Sequence, residues 1–238
     1  HNLFQNGAAT LSGIVEGYMQ RQRRGEIPEG KITFIMVSGD GGMDIGLGAA
    51  LGAAIRNHNM IIFEYDNGGY MNTGYQYSYT TPLGAKSATS HVGTGERGKP
   101  YLPKNTPKLF EATGINYIAT VAESNPQDFI VKAKKAQYYA DNYGLAYIKA
   151  LSACPLNWQD EPRYERSVIQ KAVESCYFPL YEVERGIRRV TYKPKNKIPV
   201  TDFLGAMGRT RHLLGDRYKD IVETVQNSVD KNWEELKG

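Results

Sequence analysis

Residues 35–72 read IMVSGDGGMDIGLGAALGAAIRNHNMIIFEYDNGGYMN. An apolar run, Ile32 to Val37, ends at Gly39-Asp40-Gly41, and a small-residue stretch from Ile45 to Ile55 follows. A second apolar run, Met60 to Tyr65, ends at Asp66-Asn67-Gly68-Gly69. The pattern predicts strand, tight turn, helix over 44–57, strand and polar turn, with Lys31–Ser38 as a buried strand. It places Asp40 and Asn67 at the carboxyl ends of two adjacent parallel strands, where open α/β sheets bind ligands. An Asp and an Asn there, ringed by glycine amides, suit Mg²⁺ and the diphosphate it neutralises.

Outward from this stretch, the strand–helix alternation continues. Helices are expected at 6–24, 107–113, 125–141 and 166–176, and strands at 116–121 and 145–151. This predicts an α/β fold: a mostly parallel open sheet with helices on both faces. Residues 68–107 form a polar stretch dense in Tyr, Thr, Ser and Gly, far longer than an ordinary connection, and are expected to be functional. After Glu165 the character changes. A hairpin around Arg185-Gly186 and amphipathic helices at 201–214 and 217–236 suggest an arm. The expected division is therefore a ligand-binding α/β domain at 1–177 and a C-terminal arm at 178–238 that grips partner subunits. His1 is no initiator and NGAATLSGIVEGYM (6–19) already reads as helix, so further residues are expected upstream.

Composition narrows the function classes. The chain has 238 residues, 41% of them hydrophobic, enough for one sizeable core. A net charge of +4 with scattered basic residues gives no stripe for nucleic acid. No apolar run reaches the roughly 18 residues of a membrane span, and no signal-peptide pattern opens the chain. Two cysteines do not suggest a disulfide framework. The expected setting is the cytoplasm. His58, His91 and His212 have no metal-like spacing, and no GxGxxG or P-loop lysine occurs.

Twenty-six residues separate Asp40 from Asn67. This spacing resembles the thiamine-diphosphate motif, GDG followed some 25–30 residues later by Asn. Tyr65-Asp66-Asn67, Tyr70-Met71-Asn72-Thr73-Gly74 and Thr80-Thr81-Pro82-Leu83-Gly84-Ala85 then resemble the β subunits of 2-oxoacid:ferredoxin oxidoreductases. LFQNGAA, SACPLNW, SCYFPLYEVERG and FLGAMGRTRHLL are similar to that family too, in order along nearly the whole chain.

The resemblance implies that Asp40 and Asn67 ligate Mg²⁺ by side chain and Gly69 by its carbonyl. It places the amides of Gly41, Gly42 and Met43 toward the diphosphate of thiamine diphosphate, with Gly39 and Thr73 alongside. Asn72 is implied near the reactive carbon as a catalytic amide that donates to the substrate's oxygens, and Thr80-Thr81 near the same cavity. Asp44 reads as a helix-capping carboxylate. Cys154 is implied as one ligand of a [4Fe-4S] cluster whose other ligands this stretch lacks, and Cys176 reads as core.

The implied activity is oxidative decarboxylation of a small 2-oxoacid, with electrons passed through [4Fe-4S] clusters to ferredoxin. It needs α and γ/δ-type partner chains, and coenzyme A if the substrate is pyruvate. Two departures sit at the cofactor: Gly68-Gly69 replaces the family's Glu-Ala, and GDGGMDIG is one residue shorter than GDGGTFDIG. They keep oxalate beside pyruvate as the substrate. A different thiamine-diphosphate enzyme without electron transfer, or a structural cofactor-binding subunit, is the alternative.

Overall fold

The computed structural model describes residues 3–238; His1 and Asn2, where the upstream continuation was expected, lie outside the described residues. Six strands form one sheet in the order β1-β2-β4-β3-β5-β6. They are β1 (Ile35–Gly39), β2 (Ile61–Asp66), β3 (Tyr117–Ala122), β4 (Ala146–Leu151), β5 (Tyr181–Glu184) and β6 (Ile187–Val190). The first four run parallel, and β5 and β6 add an antiparallel edge beside β3.

Side-chain alternation sorts the two faces. Ala146, Ile148 and Ala150 point toward α5 (Pro126–Asn142), with Tyr117, Ala119 and Val121 beside them. Tyr147 and Ile118 point the other way, into a cluster with α1 (Gly7–Arg23) and α3 (Leu47–Ile55), joined by Phe110 of α4 (Thr106–Glu111). Helices therefore cover both faces, as the strand–helix alternation predicts.

The strand expected to be buried is an edge strand. Among the described residues β1 pairs only with β2, and Ile35 and Val37 stand 53% and 63% exposed. Its apolar run reads as interior because side-chain chemistry does not say how many neighbours a strand has.

The C-terminal third packs on the body of the same chain. β5 pairs with β3, and α7 (Glu165–Glu174), α8 (Val200–Ala206) and α9 (Lys219–Lys237) share one core with Ala122, Leu151 and Trp158. Residues on either side of 177 thus contribute to one hydrophobic cluster. The helix expected over 201–214 stops at Ala206. Met207 is extended at φ −101°, and the Thr210 hydroxyl donates to the Leu204 carbonyl at 2.6 Å, satisfying the helix end. That break turns Arg209 inward.

Candidate functional site

β1 passes directly into α2 (Asp40–Ile45), with Gly39 as N-cap, so Asp40 opens the helix that was expected to begin at Asp44. No tight turn intervenes: Gly39 has φ −75°. The glycines of GDGG answer to close approach. A Cβ on Gly41 would lie 2.5 Å from the Tyr70 ring, and one on Gly42 would strike the Ser38 hydroxyl. Gly41, Gly42 and Met43 are buried in the first turn of α2, where amides have no intrahelical partner.

Asp40 and Asn67 follow the ends of the paired strands β1 and β2, whose register sets Gly39 beside Tyr65. Asp40 is 1% exposed, and no lysine or arginine forms an ion pair with it among the described residues. Burial, then the negative charge of Asp66, push its carboxyl up to about 7. The Thr80 hydroxyl links the two strand ends: it donates to Asp66 Oδ1 at 2.7 Å and lies 3.1 Å from Asp40 Oδ2. Asn67 Oδ1 is buried without a hydrogen-bond partner.

Beneath this pair runs a charged network absent from the sequence expectations. Lys149 of β4 lies 2.9 Å from Asp66 and 3.4 Å from Glu64, all three buried. Burial alone would raise the Asp66 carboxyl, but Lys149 and the Thr80 hydrogen bond hold it below its ordinary value. Lys149 stays above its own ordinary value despite burial, because two carboxylates face it. Tyr147 donates to Glu64. A lysine inside AYIKAL and a glutamate inside IIFEYD were the available signals, since a charge within a fully buried strand requires a partner.

The 67–69 turn is held from far along the chain. The Asn67 carbonyl accepts from Asn157 Nδ2 and Trp158 Nε1, both at 2.7 Å. The Gly68 carbonyl accepts from the Arg209 guanidinium at 2.7 Å and the Thr81 hydroxyl at 2.8 Å. Gly68 has φ +70°, a conformation suited to glycine. The turn's inner side opens on a cavity of about 390 Å³, walled also by Lys149, Tyr177 and α9.

The other expected residues are placed as follows. Asn72 and Thr73 are exposed on the turn after Tyr70. Thr73 lines a shallow depression of about 460 Å³ with Asp44, Tyr70 and Tyr79, which Asn72 does not line. Asp44 lies near the end of α2 and caps nothing. Its carboxylate pairs with Lys104 and accepts from the Tyr79 amide at 2.9 Å and the Tyr70 hydroxyl at 3.2 Å, tying the 68–105 segment to α2. Cys176 is buried, as read, and burial pushes its thiol up to about 11.

The donor set fits a Mg²⁺–diphosphate group: one buried carboxylate lacking a cation and one amide oxygen lacking a partner, beside free helix amides. Mg²⁺ takes one or two carboxylates and completes its shell with phosphate oxygens and water. Cys154, half-exposed before α6 (Pro155–Trp158), does not by itself fit a [4Fe-4S] cluster, which takes four thiolates. Among the described residues no three His, Cys, Asp or Glu side chains gather around a metal position.

Residues 23–150 match the thiamine pyrophosphate enzyme family, in its C-terminal TPP binding domain. The chain is 42% identical to pyruvate synthase subunit PorB of Thermotoga maritima, over 99% of its own length and 73% of that subunit's. It belongs to the 2-oxoacid:ferredoxin oxidoreductase β-subunit family. Pyruvate synthase subunit PorB of Methanocaldococcus jannaschii is 39% identical over 97% of this chain and 76% of that one. Ketoisovalerate oxidoreductase subunit VorB of Pyrococcus furiosus is 34% identical over 100% and 75%. A solved 2-oxoglutarate:ferredoxin oxidoreductase from Magnetococcus marinus matches with TM-score 0.51 and 27% identity, over 65% of this chain and 47% of that chain. Family members of this kind are subunits of multi-subunit oxidoreductases. No helix among the described residues is long and apolar enough to cross a membrane.

Proposed function

We propose that this chain is the Mg²⁺- and thiamine-diphosphate-holding subunit of a cytoplasmic enzyme that oxidatively decarboxylates a small 2-oxoacid and delivers electrons to ferredoxin. The observation that carries the reading is the pairing of an uncompensated Asp40 carboxyl with an unpartnered, buried Asn67 Oδ1 just past two adjacent strands. Buried polar groups without partners are rare in native proteins and call for an occupant. Asp40, Asn67 and the Gly69 carbonyl would hold the cation. The Gly41, Gly42 and Met43 amides, with Gly39 and Thr73, would receive the diphosphate. When bound, thiamine diphosphate supplies a nucleophilic carbon and an electron sink for 2-oxoacid chemistry.

The chain's own residues bind and orient. Lys149 keeps Asp66 ionised, and Thr80 couples Asp66 to Asp40, so the carboxylate meant for the cation is fixed before the cation arrives. Asn72, exposed on its turn, donates its amide N–H groups to the substrate's oxygens once partner chains close the site. Cys154 would offer at most one thiolate to a [4Fe-4S] cluster, the other ligands coming from other polypeptide. The α and γ/δ-type chains supply the remaining catalytic and electron-carrying groups.

Pyruvate, with coenzyme A as acyl acceptor, is the favoured substrate, because identity to the pyruvate synthase subunits, 42% and 39%, exceeds the 34% to the ketoisovalerate subunit. Oxalate is the second reading, resting on Gly68-Gly69 at the cation turn. Anaerobic turnover of the purified complex with a viologen acceptor tests both. Reduction with pyruvate only when coenzyme A is present supports the first, and reduction with oxalate alone supports the second. A complex that binds no thiamine diphosphate overturns the reading of Asp40 and Asn67.

A further inference from the structure

The oxygens of the 67–69 turn are sorted. Those of the Asn67 and Gly68 carbonyls are occupied by four donors: Asn157 Nδ2, Trp158 Nε1, the Arg209 guanidinium and the Thr81 hydroxyl. The two oxygens that serve the cation are left: Asn67 Oδ1 is unpartnered, and no hydrogen bond ends on the Gly69 carbonyl among the described residues. The donors also brace one another, since Arg209 donates to Asn157 Oδ1 at 2.8 Å.

Asn67 and Gly68 form part of the wall of the 390 Å³ cavity, so directional bonds hold the turn where side chains do not fill the space. The arrangement is also costly. Arg209 is 2% exposed, with no carboxylate within ion-pairing distance among the described residues. Burying a charge without a counter-ion costs unless hydrogen bonds compensate it, and here those bonds go to the Gly68 carbonyl and Asn157 Oδ1. Space is reserved for it: a Cβ on Gly68 would lie 2.9 Å from the guanidinium, and one on Gly69 2.7 Å from Asn157 Nδ2.

We infer that Arg209, Asn157 and Trp158 are positioning residues for the cation site: by engaging the 67 and 68 carbonyls they leave only Asn67 Oδ1 and the Gly69 carbonyl for the metal, and so set its affinity and size selectivity. The inference rests on the Mg²⁺ reading of Asp40 and Asn67. Mg²⁺ demands a near-ideal octahedron at about 2.0–2.1 Å, whereas Ca²⁺ accepts looser shells at about 2.3–2.6 Å. A turn released from its donors therefore loses Mg²⁺ more than Ca²⁺.

The test uses the assembled complex, stripped of cofactor, as wild type, Trp158→Phe and Arg209→Lys. Phe keeps the ring and removes the Nε1 donor; Lys keeps the charge and loses the planar fork. Retention of thiamine diphosphate is titrated against Mg²⁺ and, separately, Ca²⁺ by equilibrium dialysis. The Mg²⁺ concentration for half-maximal retention should rise about five- to tenfold in Trp158→Phe, the net worth of one hydrogen bond, and further in Arg209→Lys. The Ca²⁺ value should move less than about twofold by the same geometric argument. Equal shifts for both cations, or an unchanged Mg²⁺ value beside a normal wild-type response, overturn the positioning role alone. A wild type that retains cofactor without any divalent cation overturns the Mg²⁺ reading and this inference with it. If Arg209→Lys fails to assemble, Trp158→Phe decides.

Discussion

Lys149 and Asp66 form a buried ion pair, 2.9 Å apart, across the adjacent strands β4 and β2. The pair fixes the charge state of the residue immediately before the 67–69 turn, and Lys149 is the counter-ion of Glu64 as well. Replacing it by methionine leaves two carboxylates buried and uncompensated. Lys149→Met should cost about 3–5 kcal/mol of stability, read by denaturant unfolding, and wild-type stability would remove the network from the account.

Asp40 predicts the opposite sign. Its carboxyl is buried without an ion pair, so charge there opposes folding until a cation binds. Asp40→Asn should raise the melting temperature of the cofactor-free protein while abolishing Mg²⁺-dependent retention of thiamine diphosphate. Calorimetry with and without cofactor checks both halves; a variant that loses stability but still binds would contradict the assignment.

Lys99 gives a pH dependence. Burial pulls its ammonium down to about 7, against the pull of Asp44 and Asp66, and its Nζ donates to the Tyr79 and Thr81 carbonyls at 3.0 and 2.5 Å. The folded value lies below the unfolded one, so the unfolded chain binds more protons between them and stability rises with pH. The contribution is fully present above about 10.4 and is lost as pH falls through about 7. Lys99→Met should flatten the stability profile across that window, measured by unfolding at fixed denaturant; a profile as steep as wild type would exclude Lys99 as its source.

The two cysteines should differ in reactivity. Cys176 is buried and its thiol is pushed up to about 11, whereas Cys154 is half-exposed. Thiolates, not thiols, are alkylated. Brief iodoacetamide treatment of the native, cluster-free protein at pH 8, followed by peptide mass analysis, should label Cys154 and spare Cys176. Labelling of Cys176 first would refute its placement in the core.

Much of this was legible in local sequence. The run from Met36 to Asn67 gave both strand ends because small-residue periodicity and apolar runs are local properties, and the alternation of elements pointed to the parallel sheet. What stayed hidden depends on distant neighbours. Ile35 and Val37 look interior but lie on an edge. Asp44 looks like a cap, yet its partners come from residues 70, 79 and 104. Gly68-Gly69 carries a structural requirement that the sequence did not show, since the side chains of Arg209 and Asn157 stand where a Cβ would go. Arg209 itself reads as one more basic residue until the end of α8 turns it inward.

The bond from Arg209 to the Gly68 carbonyl spans 141 positions of sequence. A ribosome that has delivered the cation turn has not yet made the arginine that holds it, nor the α9 helix that closes over the same cavity. The nascent chain thus emerges with Asp40 and Asn67 present but the 67–69 turn unbraced, and the turn takes its final shape only after Arg209 has been made.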